Sequence, residues 1–249
     1  MSLLPRSLLL ASATQPFLKS KDPLGLSTLA STQTKGTEET NRAAKQLLDY
    51  CDTHPEAIIR FRASPMMLKM HSDASYLTEP EARSRASGWF FLGGNKQTGN
   101  ELMYNGPILV LANITRNVMS SAAEAEVGAI FDNAKAALPL RATLQEMGHP
   151  QPTAEILTDN TTAEKIANDT CKQKQSKATD MRFCWIRDRI KQKQFQVKWG
   201  PADVNLADYH SKHHPATHHQ RVRHWYLHTK NSPTLLPTTH ARSHPARVC

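Results

Sequence analysis

MMLKMHSDASY, residues 66–76, reads as a β-strand, and two more strands follow at short intervals: ASGWFFL (86–92) and GPILVLAN (106–113). Gly93, Gly94 and Asn95 supply the turn chemistry between the last two. Three strands joined by short connections predict an antiparallel meander. An acid, Asp73, stands inside the first of them, where both neighbours in a sheet would desolvate it.

Beyond the meander the hydrophobic period changes. Val127, Ile130, Phe131, Ala134 and Leu138 fall on one helical stripe that opens near Ser120–Ser121 and meets Pro139. AEILT (154–158) is a short apolar strand, and a helix is expected from about Thr161. Residues 176–190 read as another helix. Phe195, Val197 and Trp199 alternate with polar residues as a strand, and a short helix starts near Asn205. Upstream, Ala43, Ala44, Leu47, Leu48 and Cys51 mark an amphipathic helix over 40–50. The order β-β-β-α-β-α-α-β-α predicts an α/β fold: a five-stranded mixed sheet, meander on one side, parallel strands on the other, flanked by helices.

Charge divides the chain. From Lys172 onward there are 15 Lys/Arg against 4 Asp/Glu, whereas residues 1–171 hold 16 against 18. All of the net +9 therefore lies in the last third, which points to a polyanionic partner such as nucleic acid. The longest apolar run, Pro107–Ala112, is far too short to span a bilayer, so no membrane partner is expected. Cysteines at 51, 171, 184 and 249 have neither CxxC pairing nor regular spacing, which excludes a disulfide scaffold and gives no zinc-ribbon signal.

Four carboxylates occupy positions that a mixed sheet can bring to one edge. Asp73 is in the first strand, Glu126 lies beside the apolar stripe of the long helix, Asp159 ends the fourth strand, and Asp208 falls in the first turn of the last helix. Each also has an ordinary reading. Asp73 can accept hydrogen bonds at a strand end, and Glu126 can be a surface glutamate. Asp159 or Thr161 can cap a helix, with Thr161-x-x-Glu164 as a capping box, and Asp208 can belong to a cap begun by Asn205. Together they form a set of hard oxygen ligands suited to Mg²⁺ or Mn²⁺, and two such ions are a known device for phosphodiester hydrolysis.

The strings HSDASY (71–76), SGWFFLG (87–93), SSAAEAEVGAIF (120–131), LTDNTTA (157–163), KATDMRFCWIRDRI (177–190) and NLADYHSKHHP (205–215) resemble the ribonuclease H domain of copia-type long-terminal-repeat retrotransposons. The resemblance covers about residues 66–226. Residues 31–65 resemble the connection from the reverse transcriptase, residues 1–30 are unassigned and expected to be disordered, and 227–249 form a His/Pro/Thr-rich tail expected to be disordered. The resemblance implies a ribonuclease H-like fold and two-metal cleavage of the RNA strand of RNA–DNA hybrids. It puts the catalytic and metal-binding positions on Asp73, Glu126, Asp159 and Asp208. It also implies a polymerase region as possible partner, and a cytoplasmic, virus-like-particle or nuclear location.

The sequence departs from the family pattern at Pro201–Ala202, at His210–Ser211 and at Val127, and it carries no Tyr-x-Asp-Asp motif and no zinc knuckle. A detached polyprotein fragment or a domesticated relic is therefore expected. Candidate nucleic-acid contacts are Ser75, Ser120 and Ser121, with the helix start as a phosphate seat, and Asn160, Lys177, Arg182 and Asn205. Nine of the 12 histidines lie between 210 and 244. His213, His214, His218 and His219 have a spacing that zinc could use, but the resemblance assigns no metal there; His210 or His213 could assist proton transfer. Two other readings stand beside the hybrid nuclease: a catalytically weak nucleic-acid-binding relic, and an integrase-type nuclease using three acids on DNA. The meander bearing Asp73 and a fourth acid at Asp208 favour the hybrid nuclease over the integrase type.

Overall fold

The computed structural model describes residues 36–61, 63–94, 105–170, 181–212, 214–215 and 217–218, together with Leu29. Lys177, His213, His219, the N-terminal segment before Leu29 and the tail after 226 lie outside the described residues. Helix α1 is Glu38–Thr53, capped by the Thr37 hydroxyl. Strand β1 is Met67–Glu79, β2 is Arg83–Gly93 and β3 is Pro107–Ile114. Then come α2 (Ala122–Glu146), β4 (Ala154–Thr158), α3 (Thr161–Ala167), α4 (Met181–Lys191), β5 (Phe195–Trp199) and α5 (Asp208–Ser211).

The five strands form one mixed sheet in the order β3-β2-β1-β4-β5. β1 is central, antiparallel to β2 and parallel to β4, while β4 runs parallel to β5. This is the expected architecture. Leu68 and Met70 of β1, Phe90 of β2, Ile156 of β4 and Phe195 and Val197 of β5 pack against Val127, Ile130, Ala134, Ala137, Phe183 and Ile186 of the helices. On the opposite face, Trp89 and Phe91 are covered by Leu206, Ala207 and Tyr209 from the segment around α5. Among the described residues, no helix is long and apolar enough to cross a membrane.

Two contacts dock α2 on the sheet. The Asn133 amide donates to Ser72 Oγ at 2.9 Å and to the Ser87 carbonyl at 2.8 Å. Gly88 makes this approach possible, because a Cβ there would lie 2.1 Å from Asn133 Oδ1. Residues 133 and 126 are two helical turns apart, so this bond also places Glu126.

Three boundaries differ from expectation. α2 does not stop at Pro139 but runs on to Glu146. Proline removes one hydrogen bond to the carbonyl of Lys135, and both residues are exposed, so water can serve that carbonyl. The last turns are held from outside the helix: Arg141 donates to the carbonyls of Pro152 (2.6 Å) and Gln151 (3.2 Å), and Leu144 is buried. The cap of α3 is Asn160, whose Oδ1 accepts from the amides of Thr162 and Ala163 at 3.0 and 2.9 Å, rather than Asp159 or Thr161. The last helix starts at Asp208, after a short 3₁₀ turn at Ala202–Val204, instead of near Asn205.

Candidate metal centre

The parallel pairing of β1 with β4 sets Lys69 against Glu155, Met70 against Ile156 and His71 against Leu157. Two residues further along each strand, the same register brings Asp73 level with Asp159. Side chains alternate across a strand with period two, so Asp73 shares a face with Lys69 and His71. The core-facing positions are Leu68 and Met70.

Asp208 reaches this point because the chain before it is fastened to β1 and β2. The Asn205 amide donates to the Ser72 carbonyl at 3.0 Å, and the Leu206 amide donates to His71 Nδ1 at 3.0 Å. Ser87 Oγ donates to the Ala207 carbonyl at 2.5 Å. Burial depresses His71 to about 3, so the ring is neutral and its Nδ1 can accept.

Asp73, Asp159 and Asp208 thus converge: one carboxylate oxygen from each lies within 4.8 Å of those from the other two. Asp73 is 0% exposed and Glu126 is 6% exposed. Burial, with Asp208 and Asp159 adding to it, pushes the Asp73 carboxyl up to about 7, against the opposing pull of Lys212 and Ser211. Burial again, then the charges of Asp73 and Asp159, hold Glu126 well above the ordinary carboxylate range, while a bond from the Ala74 amide pulls the other way. Three of the four sequence-derived acids thus converge within 4.8 Å, and Glu126 lies near enough to Asp73 and Asp159 to feel their charges.

Asp73 Oδ1 and Glu126 Oε2 are buried with no hydrogen-bond partner. Such an oxygen is costly in a fold unless a cation or water completes it. Hard carboxylate oxygens, two of them otherwise unsatisfied, fit a divalent ion such as Mg²⁺ or Mn²⁺.

The sequence reading did not find the groups that cover the cluster. Ser211 Oγ donates to Asp73 Oδ2. Lys212 Nζ donates to Asp208 Oδ1 and stands 3.6 Å from Asp73 Oδ2. His214 Nε2 lies 3.2 Å from the Asp208 carbonyl oxygen and 3.8 Å from Asp208 Oδ2. Desolvation alone would depress the Lys212 ammonium; Asp73, Asp208 and Asp159 outweigh it and raise its pKa. The available signal was helical spacing, since Ser211 and Lys212 lie three and four residues after Asp208. Trp199 was read only as part of a strand, yet it is 52% exposed and its indole N–H donates to the Asp159 carbonyl at 3.0 Å.

The expected nucleic-acid contacts fare differently. Asn205 is buried, its amide engaged with the Ser72 carbonyl and its Oδ1 with the Ala207 amide, so it is a fastening of the fold rather than a free donor. Ser75 is buried with its hydroxyl 2.6 Å from Thr78 Oγ1. The phosphate seat expected at Ser120–Ser121 is taken: Ser121 Oγ accepts from the Glu124 amide, and the Glu124 carboxylate accepts from the Ser120 amide at 2.7 Å. An anion is already built into that helix start. Asn160 uses its carbonyl oxygen as a cap. Arg182 lies 3.9 Å from Glu124 Oε1 and from Met119 Sδ, at the same end of α2. His210 is buried, stacked on Trp89 at 5.5 Å and depressed to about 3 by burial and then by His214, which makes it packing rather than a proton carrier.

No protein-family model matches the sequence, and no curated protein matches it either. Solved structures do. The N-terminal ribonuclease H domain of a Mycobacterium tuberculosis protein aligns with TM-score 0.41 and 12% identity over 59% of this chain and 91% of that one. A ribonuclease H1 isolated from compost, solved with an RNA/DNA hybrid, aligns with TM-score 0.41 and 12% identity over 57% of this chain and 92% of that one. The ribonuclease H domain of prototype foamy virus aligns with TM-score 0.39 and 12% identity over 58% and 87%.

Proposed function

We propose that the chain is a divalent-metal-dependent nuclease that hydrolyses the RNA strand of RNA–DNA hybrids, derived from a retrotransposon polyprotein. The observation that carries this reading is the convergence of Asp73, Asp159 and Asp208 within 4.8 Å, with buried unpartnered oxygens on Asp73 and Glu126 beside them. The six strings that resemble the copia-type ribonuclease H domain agree with it, and that resemblance implies the same acids as catalytic positions.

Asp73, Glu126, Asp159 and Asp208 would hold the ions, Mg²⁺ or Mn²⁺. Bound there, the metal supplies an activated water and charge stabilisation for the departing 3′-oxygen. The chain's own contribution is orientation. The β1–β4 register sets two carboxylates level, the Asn133 dock sets Glu126, and the Asn205–Ala207 fastening sets Asp208. Asp73 and Glu126 are buried, which strengthens their attraction for a cation. The positive final third supplies long-range attraction for a polyanion, and the exposed Trp199 ring, bonded through its N–H to the Asp159 carbonyl, presents an apolar face beside the site. A reverse transcriptase region of the parent polyprotein is the proposed partner.

The test uses labelled RNA–DNA hybrid, duplex DNA and duplex RNA, each with Mg²⁺ or EDTA, alongside Asp159→Asn. Mg²⁺-dependent cleavage of RNA in the hybrid alone, lost in the variant, is the expected result. Binding of the hybrid with no cleavage under any metal would replace this reading with that of a binding relic.

A further inference from the structure

We propose that Lys212 is an internal counter-ion of the carboxylate cluster, which a divalent ion must displace in order to bind. The inference rests on the metal-centre reading above and concerns affinity and stability, not the chemical step.

The geometry is specific. The ammonium bonds Asp208 Oδ1 and stands 3.6 Å from Asp73 Oδ2, bridging two of the three acids that converge within 4.8 Å. Asp73 Oδ2 is already bonded by Ser211, so the lysine and the serine together serve that oxygen. The oxygens they do not reach, Asp73 Oδ1 and Glu126 Oε2, are the ones left unpartnered. Lys212 thus satisfies the outer side of the cluster and leaves its inner side open.

A divalent ion seated on the same carboxylates would lie within a few ångströms of the ammonium. Like charges at that range repel, and the two cations draw on the negative charge of the same carboxylates. The lysine can yield. Its side chain is 42% exposed, on a flexible four-carbon stem, so the head can return to water without crossing packed structure. Until then it offsets the mutual repulsion of the acids, which otherwise weighs on the metal-free fold. One residue then does two opposed things: it steadies the empty site and weakens the apparent affinity of the filled one.

The experiment measures metal, not catalysis. Mn²⁺ alone is titrated into the full chain, with free ion counted by electron paramagnetic resonance, for wild type, Lys212→Met and Lys212→Arg. Thermal melts are recorded for each in EDTA and in saturating Mn²⁺. Lys212→Met should bind Mn²⁺ about tenfold more tightly, equivalent to about 1.4 kcal/mol. Lys212→Arg, which keeps the charge, should stay near wild type. In EDTA the Met variant should melt below wild type, and Mn²⁺ should close or reverse the gap.

Equal or weaker Mn²⁺ binding by Lys212→Met overturns the inference while leaving the metal centre intact. So does a melting deficit of the same size with and without Mn²⁺, which is what a purely structural lysine would give. Failure of wild type and both variants to bind Mn²⁺ overturns the metal-centre reading itself, and this inference with it. Should Lys212→Met not fold, Lys212→Gln removes the charge with a polar head and carries the same comparison.

Discussion

Asp73→Asn takes a negative charge out of a position with no solvent exposure and leaves a neutral group of the same shape. The wild-type carboxyl is raised from 3.8 to about 7, chiefly by burial. As pH rises from about 4 to about 7 the unfolded chain has released this proton while the folded chain keeps it, so the folded state loses stability across that window. Below it both states are protonated, and above it both are ionised. The slope is about 1.4 kcal/mol per pH unit. Between about pH 5 and about pH 8 the wild type therefore loses about 2.7 kcal/mol that the asparagine variant does not, the loss being complete once pH passes the folded value.

Glu126, held up in part by Asp73, relaxes in the variant and adds in the same direction. The assay is urea unfolding followed by tryptophan fluorescence in EDTA at both pH values. The expected result is a variant that gains on wild type by at least that amount at the higher pH. Parallel pH profiles for the two proteins would refute the reasoning, because the buried carboxyl would then titrate normally. A second arm adds Mg²⁺. At about a hundredfold excess over its dissociation constant a ligand stabilises the state it binds by about 2.7 kcal/mol, and the variant should forfeit most of that.

Two substitutions away from the acids test how the site is held. Gly88→Ala puts a methyl group 2.1 Å from Asn133 Oδ1, so α2 must shift on the sheet. Overpacking of this kind costs about 1–3 kcal/mol, seen as a lower melting temperature, and the proposed nuclease activity should fall with it because Glu126 rides on the same helix. Glu79→Ala strands the buried Arg85, whose Nε bonds Glu79 Oε1 at 2.7 Å. Breaking such a pair costs about 3–5 kcal/mol by denaturant titration, and Glu79→Ala combined with Arg85→Leu should recover most of it.

The sequence by itself determined the order of the elements and which acids stand within or beside them. Alternation in β5 and the helical stripe of α2 were legible because burial imposes a period that the residues must obey. The four acids stood out for a related reason: a carboxylate within or beside an apolar element is costly, so its presence calls for an explanation. What is local was readable. Asn160 shows the margin of that rule: Asp159, Asn160 and Thr161 are all good caps, and only backbone geometry picks the middle one.

Tertiary structure decided the rest. Nothing in residues 66–76 or 154–158 states that His71 pairs with Leu157, and a slip of one residue would turn Asp73 toward the core face. The run of α2 past Pro139 depends on Arg141 meeting the carbonyls of Gln151 and Pro152, a contact a single-helix reading cannot contain. Asn205 resembled a donor for nucleic acid until its amide was found bonded to the Ser72 carbonyl. Lys212 read as one more charge in a basic third until folding set it between Asp208 of its own third and Asp73 of the first. Composition and period report which groups a chain possesses. Which groups meet is set by packing between segments far apart in sequence, where the pairing energy belongs to neither segment alone.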